Sequence, residues 1–368
     1  MDLLSNPEEV RSVLQSDPSD FRALDVPGRR RRVETAKTPS AAGPSMKATA
    51  SAHPIQGLVK YHGMHDEELR LPYHDSISVC TAPSHSRTTA AFEPDREADR
   101  YVIDGEVVDG LAAERLRAVV NHVRELAGLE DRVRLESVND FPTNIGFGSS
   151  SSGFAAAAVA LCAAADLDLT RPAMSTVARR GSASAARAVT GAFSQLHTGL
   201  DDADCRAERL DTPLEDELRV VAAEVPAFKH TEAAQREAAD SNMFDARLAH
   251  VHDQIATTRH ALRTGDFETA FETAEHDSLS LAATTMTGPA GWVYWQPETL
   301  EVFETVRDLR EEGIPAYFST DTGASVYVNT TADHVDRVEA AIADLGVDTR
   351  VWTVGGPAAV LDADEALF

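Results

Sequence analysis

The chain has 368 residues, 43% of them hydrophobic, so it can bury a core as one large domain or two modest ones. Its formal net charge of −26 opposes nucleic-acid binding. No apolar run is long enough for a membrane helix, and the N-terminus lacks an apolar signal-peptide core. Cys80, Cys162 and Cys205 are odd in number and widely spaced, which reads as reduced thiols in a cytoplasm. Of 34 basic residues only Lys37, Lys47, Lys60 and Lys229 are lysines. So acidic and lysine-poor a surface looks like that of a salt-accumulating halophile, where high salt screens self-repulsion. Against an arginine default, a retained lysine in an informative place suggests a specific role.

Residues 1–45 carry seven acids and seven bases, leaving the whole −26 on residues 46–368. "TPSAAGPS" at 38–45 reads as a linker, and Met46 is read as the true start, with a disordered arm as the alternative. Strands are expected at 77–81, 88–92 and 99–108. Apolar spacing predicts a helix over 110–127 with Gly128 as its C-cap. A strand at 131–139 leads into a glycine- and serine-rich stretch, then helices over 151–165 and 172–190. A buried strand at 217–225 opens a second half. Helices follow over 232–263, 266–284 and 298–311, then strand "PAYFST", loop "DTGAS" and strand "VYVNT". Helix 331–345 and strand "TRVWTVG" close an α+β fold in two halves, 46–215 and 216–368.

"NDFPTNIGFGSSSSGFAAAAVAL" at 139–161 places Gly-x-Gly and four serines between a strand and an alanine-rich helix. Free N–H groups and the positive dipole end at a helix N-terminus favour phosphate. Glycines let the backbone approach, and hydroxyls add donors or a magnesium ligand. The stretch is not a Walker A loop, since no Gly-Lys-Ser/Thr follows, nor a good dinucleotide fingerprint, since no parallel βαβ unit surrounds it.

"PTNIGFGSSSSG" resembles the phosphate motif of the GHMP kinase superfamily. In detail, Asn139 to Gly153 is similar to the decarboxylase branch, with its Asn-x-Phe-Pro-Thr-x-x-Gly-x-x-Ser-Ser-x-Ser-Gly run. "LVKYHGMHDEELRLPYHDSISV" at 58–79, "ARRGSASAARAVTGAF" at 178–193 and "YFSTDTGASVYV" at 317–328 resemble three further segments of that branch, in the same order. The family is the mevalonate diphosphate and mevalonate phosphate decarboxylases. The resemblance implies a two-domain GHMP kinase fold, with a ribosomal protein S5 domain 2-like N-terminal half that binds ATP and a ferredoxin-like C-terminal half. It implies ATP and Mg²⁺ as cofactors and a small phosphorylated substrate, and, since this family is commonly dimeric, it is compatible with a homodimer.

The implied reaction phosphorylates a tertiary 3-hydroxyl and then loses phosphate and CO2 to leave a terminal alkene. Asp321 matches the catalytic aspartate that takes the hydroxyl proton as oxygen attacks the γ-phosphate. Lys60 matches the lysine beside the transferred phosphoryl group. Arg187 matches the catalytic arginine that holds the substrate carboxylate in a guanidinium fork. Tyr61, Ser182 and Ser184 are expected at the substrate. Asn139, Gly146, Gly148, Ser149, Ser150, Ser151, Ser152 and Gly153 are expected at ATP, with Ser150 as the magnesium ligand. Arg179 and Arg180 are read as solvated helix charges, and His62, His65, His250 and His252 as solvated histidines whose spacing suits no metal.

Two departures bear on the substrate. The diphosphate enzymes carry a second basic residue after Lys-Tyr-Trp-Gly; here His62 replaces the tryptophan and Met64 follows Gly63. Their Lys-x-x-Ser-Ser-Thr-x-Gly-Met segment is matched only by "KHTEAAQREAADS" at 229–241, with Glu232 acidic. Fewer donors suit one phosphate, so the expected substrate is (R)-5-phosphomevalonate, although His230 and Arg236 remain available to a second phosphate. The alternatives are a diphosphomevalonate decarboxylase, a 3-kinase that stops before decarboxylation, and a non-catalytic binding protein.

Overall fold

The computed structural model describes residues 46–141, 147–227 and 231–368, all within one compact unit of residues 44–368. Sixteen strands are found among them. They are β1 Lys47–Ala52, β2 Ile55–Val59, β3 Met64–Asp66, β4 Leu71–Pro72, β5 Ser76–Ala82, β6 Ser86–Glu93, β7 Arg100–Ile103, β8 Glu106–Val107, β9 Arg132–Asn139, β10 Phe193–Leu196, β11 Ala207–Arg209, β12 Leu218–Glu224, β13 Ala316–Ser319, β14 Val326–Thr331, β15 Asp348–Val354 and β16 Ala359–Val360. The helices are α1 Gly110–Ala127, α2 Ser149–Ala164, α3 Arg171–Arg179, α4 Ala183–Thr190, α5 Thr231–Glu237, α6 Phe244–Thr264, α7 Phe267–Met286, α8 Pro297–Glu311 and α9 Val335–Ala343.

A six-stranded sheet runs β16-β1-β6-β9-β7-β8. An eight-stranded sheet runs β11-β10-β5-β15-β12-β14-β13, with β2 paired to β5. The second sheet joins strands from both sides of residue 215. The sequence "LRVVAAE" of β12 shows no alternation because both faces of the strand are covered. Val220 and Ala222 face the core under α6 and α7, while Val221 and Ala223 face the core under α8 and α9. Helix α2 packs against the six-stranded sheet, and its run from Ala155 to Cys162 is buried all round. Alanine suits such a helix because it lets neighbouring backbones come close.

Three expected elements are divided. The segment 99–108 is a hairpin, β7 and β8, because Asp104 and Gly105 both take positive φ (50° and 85°), the turn geometry that an Asp-Gly pair favours. The helix expected over 172–190 breaks between α3 and α4 at Gly181, where a Cβ would lie 2.1 Å from the Phe154 ring. The helix expected over 232–263 breaks at Ser241, whose hydroxyl bonds Thr287 at 2.7 Å and accepts from Met243 N at 3.1 Å. The helix expected over 331–345 is shorter, Val335–Ala343. Gly128 caps α1 as expected, at φ 67° with its N–H on Arg124 O. The three cysteines are free and buried. Among the described residues no helix is long and apolar enough to cross a membrane.

Candidate active site

Strand β2 starts at Ile55 against the core between α2 and the six-stranded sheet and ends at Leu58 and Val59 against the core under α6 and α7, delivering Lys60 to the junction of the sheets. A cavity there is lined by Lys60, Tyr61, Gly148, Ser150, Ser151, Ser184, Arg187 and Asp321, together with Ile55, Gly57, Gln235, Leu281 and Thr322. Eight of the residues expected from sequence therefore meet in one place, drawn from four separated segments.

Asp321 follows β13 in the turn to β14. Its Oδ1 accepts the Gly57 N–H at 3.2 Å and its Oδ2 accepts the Tyr327 hydroxyl at 3.3 Å. Burial, and then the Asp321 charge, push the Tyr327 phenol well above its ordinary range, so it stays a donor. Gly57 permits this approach, since a Cβ there would lie 2.8 Å from Asp321 Oδ1 and 2.6 Å from Lys60 Cγ.

Lys60 is 5% exposed. Its ammonium donates to Ser278 Oγ at 3.0 Å and pairs with Asp277 Oδ2 at 3.5 Å. Burial lowers its pKa; Asp277 and Asp321 oppose that fall, and Arg247 adds to it. Burial alone would raise the Asp277 carboxyl, but Arg247 and Lys60 outweigh it and hold the group below the usual carboxylate range.

Arg187 is 2% exposed, donates to Ser76 Oγ and lies 5.5 Å from the centre of the Tyr61 ring. The Tyr61 hydroxyl in turn bonds Ser184 Oγ at 3.2 Å. Among the described residues no carboxylate lies within ion-pair distance of Arg187. A buried guanidinium stays charged and is costly without an anion, so this one suits an anionic ligand.

The four serines form the first turn of α2 rather than a loop before it. Gly148 caps that turn at φ 68°, with a Cβ position only 2.8 Å from Ile55 O. Ser151 and Ser152 are fully buried. Ser151 Oγ accepts from Ile55 N at 3.1 Å and donates to Gly148 O at 2.6 Å, while Ser152 Oγ meets Ser86 Oγ at 2.7 Å. Their hydroxyls thus serve the fold, whereas Ser150 is exposed. A second cavity on the other side of the turn is lined by Asn139, Ser149, Ser150 and Gly153, with apolar walls from Ile103, Leu116, Leu135 and Phe154. Ser150 borders both cavities.

No cluster of three His, Cys, Asp or Glu side chains suited to a metal occurs among the described residues. Magnesium keeps several waters and binds through few protein groups plus phosphate oxygens. The exposed Ser150 hydroxyl fits an ion that arrives on a polyphosphate.

Ser182 is buried and is not among the residues that line the cavity. Two expectations of solvation are corrected. Arg179 is not solvated: it is 0% exposed and donates to Cys205 O at 3.0 Å, with Arg180 sharing its partner Asp202. His62 is also buried, 1% exposed, as is His74. Arg236 lies at the surface against Glu67 at 3.4 Å, outside the cavity lining. Gly146, Lys229, His230 and the Glu232 side chain lie outside the described residues. Gly57, Gln235, Arg247, Asp277, Ser278 and Tyr327 were not expected. Only Gly57 carried a local signal, a glycine inside a strand pattern. The others sit in ordinary helix or strand sequence.

Residues 52–207 match the family described as the diphosphomevalonate decarboxylase-like N-terminal domain. Over 324 residues the chain is 72% identical to phosphomevalonate decarboxylase of Haloferax volcanii, covering 88% of this chain and 100% of that one. The fold is similar to mevalonate diphosphate decarboxylase from Staphylococcus aureus, with TM-score 0.83 and 27% identity over 86% of this chain and 98% of that one. It is similar also to MDDEF in complex with MVAPP, AMPPCP and magnesium, with TM-score 0.82 and 27% identity over 86% and 99% of the two chains. With the cavity's residues in place and near-complete coverage of these proteins, the chain belongs to the phosphomevalonate and diphosphomevalonate decarboxylase family of the GHMP superfamily.

Proposed function

We propose that this enzyme uses ATP to decarboxylate (R)-5-phosphomevalonate, giving isopentenyl phosphate, ADP, phosphate and CO2. The observation that carries the reading is the shared cavity of Asp321, Lys60, Arg187 and the N-terminal turn of α2. The identity of 72% to a phosphomevalonate decarboxylase supports the monophosphate substrate. The complex of MDDEF with AMPPCP and magnesium supports ATP and Mg²⁺.

In this reading Arg187 holds the substrate carboxylate, with Tyr61 and Ser184 beside it. The first turn of α2 faces the triphosphate, and the cavity lined by Asn139, Ser149 and Gly153 takes the rest of the nucleotide. Asp321 accepts the proton of the 3-hydroxyl as that oxygen bonds to the γ-phosphorus and ADP departs. The Lys60 ammonium offsets charge on the phosphoryl oxygens. The C3–O bond then breaks with its electron pair leaving on phosphate. The electrons of the bond to the carboxylate form the alkene, and CO2 is released. Magnesium, when bound with the nucleotide, neutralises phosphate charge.

The reading includes residues 46–215 as the nucleotide half, residues 216–368 as the second half, a cytoplasmic location and a homodimer. Light scattering in high KCl tests the dimer. The activity is tested with ATP, Mg²⁺ and 5-phosphomevalonate in high KCl, following CO2, ADP and isopentenyl phosphate together. Equal amounts of all three are expected. ADP without CO2 makes the protein a 3-kinase, and a higher kcat/KM on the diphosphate overturns the monophosphate assignment.

A further inference from the structure

We infer that Asp277 and Ser278, adjacent residues in the middle of α7, are positioning residues for Lys60, fixing its ammonium beside Asp321 and keeping it charged. The inference rests on the reading of Lys60 as a catalytic residue.

A single carboxylate oxygen holds both ends of residue 60. Asp277 Oδ2 accepts the Lys60 backbone N–H at 2.9 Å and pairs with its ammonium at 3.5 Å. The other oxygen, Oδ1, accepts from Arg247 at 2.9 Å, and the same Arg247 nitrogen donates to the Lys60 carbonyl at 2.6 Å. The N–H, carbonyl and ammonium of Lys60 are thus tied to one buried ion pair whose two side chains are 0% exposed.

Ser278 supplies the link to Asp321. Its hydroxyl accepts from Lys60 Nζ at 3.0 Å and from the backbone N–H of Thr320, the residue before Asp321, at 3.1 Å. It donates to Ala274 O at 2.8 Å, which fixes its rotamer. One oxygen therefore sets the separation of the lysine and the loop that carries the aspartate.

Stability alone does not account for such a network, because a buried ion pair is often no more stable than apolar residues of the same volume. The charged groups facing Lys60 are Asp277 on α7, Arg247 on α6 and Asp321 after β13; His62 and His74 lie near Arg247 and are held neutral by burial. Of these only the two carboxylates favour the charged lysine.

The scarcity of lysine makes the test direct. The full chain labelled with ¹³C,¹⁵N-lysine has four lysines to resolve, and Lys60 is assigned by its loss in Lys60→Arg. In Asp277→Asn the Lys60 titration midpoint is expected to fall by about one pH unit or more. In Arg247→Gln it is expected to rise. Ser278→Ala should leave the midpoint nearly in place but lower kcat by about tenfold, with KM for substrate kept, as loss of transition-state alignment predicts. An unmoved midpoint in Asp277→Asn, or an unchanged kcat in Ser278→Ala, overturns the inference. Should Asp277→Asn fail to fold, Arg247→Gln and Ser278→Ala decide it by the same criteria. The titration is read without substrate, so it stands apart from failure of the decarboxylase reading, which would appear as absence of CO2 release by the unmodified enzyme.

Discussion

The backbone N–H of Gly57 meets Oδ1 of Asp321 at 3.2 Å, a contact between residues 264 apart in the chain. It aims the carboxylate and leaves room for the Lys60 stem on the same side. A methyl group at Gly57 would crowd both, and displacement of about 1 Å can cost on the order of 100-fold in rate. Gly57→Ala should therefore lower kcat by about that factor. Asp321→Asn, which keeps the shape but removes the proton acceptor, should lower kcat by about 10²–10⁴-fold. Nucleotide affinity should be unchanged in both, as read by fluorescent-nucleotide titration; a normal kcat in Asp321→Asn rules out its role as base.

Arg187 is a buried cation with no carboxylate within ion-pair distance among the described residues, so the unliganded protein bears its desolvation. Arg187→Met should melt at or above the temperature of the parent when no substrate is present. The same substitution should lower kcat/KM by about 10²-fold or more, since a charged hydrogen-bond partner of the substrate is lost. A large drop in melting temperature would mean that the guanidinium serves the fold through Ser76 and Tyr61 instead.

The serines divide by burial. Ser150→Ala should raise KM for Mg-ATP severalfold and leave thermal stability alone, because its hydroxyl is exposed between the two cavities. Ser151→Ala strips a buried backbone N–H, that of Ile55, of its acceptor and should cost about 1–3 kcal/mol. Denaturation midpoints and ATP saturation curves measured on both variants separate the two roles, and equal effects would argue against the division.

His62 and His74 make the fold acid-sensitive. Burial, followed by the Arg247 charge, depresses their pKa values to about 3 and about 4. In the unfolded chain they protonate near about pH 6.5. Below that pH the unfolded state binds protons that the folded state refuses. Stability is full above about pH 6.5 and falls as pH drops toward 4, by about 1.4 kcal/mol per pH unit for each histidine. Urea unfolding in KCl at pH 7.5, 6 and 5 should show this slope, and His62→Gln or His74→Gln should flatten it. Slopes that stay parallel to the parent's would place the acid sensitivity elsewhere.

Eight of the residues lining the cavity were legible because they travel with local motifs. Gly148 must be glycine for a left-handed cap, the serines must precede alanines, and Asp321 sits in a turn between two apolar strands. What misled was local as well. Arg179 has the sequence surroundings of a solvated helix charge, yet α3 turns it inward to Leu69, Cys205 and Asp202. Serines 149–152 look equivalent in sequence, and only the packing of β2 and β6 against the turn separates the two buried hydroxyls from the exposed one.

The α+β character, most of the elements, the family and eight of the residues that line the cavity could be read from the sequence. These depend on short-range spacing, glycine and proline geometry, and hydrophobic period, all of which a linear chain carries. Tertiary structure alone decided which charge faces which. Lys60 takes Asp277 as its ion-pair partner, 217 residues away, while Asp321 takes Gly57 and Tyr327 as its hydrogen-bond donors. The reason is that ion pairing and desolvation act through space. The partner of a buried lysine is the carboxylate that the packing of α7 against β2 brings within about 4 Å, and nothing within a few residues of either group records that choice.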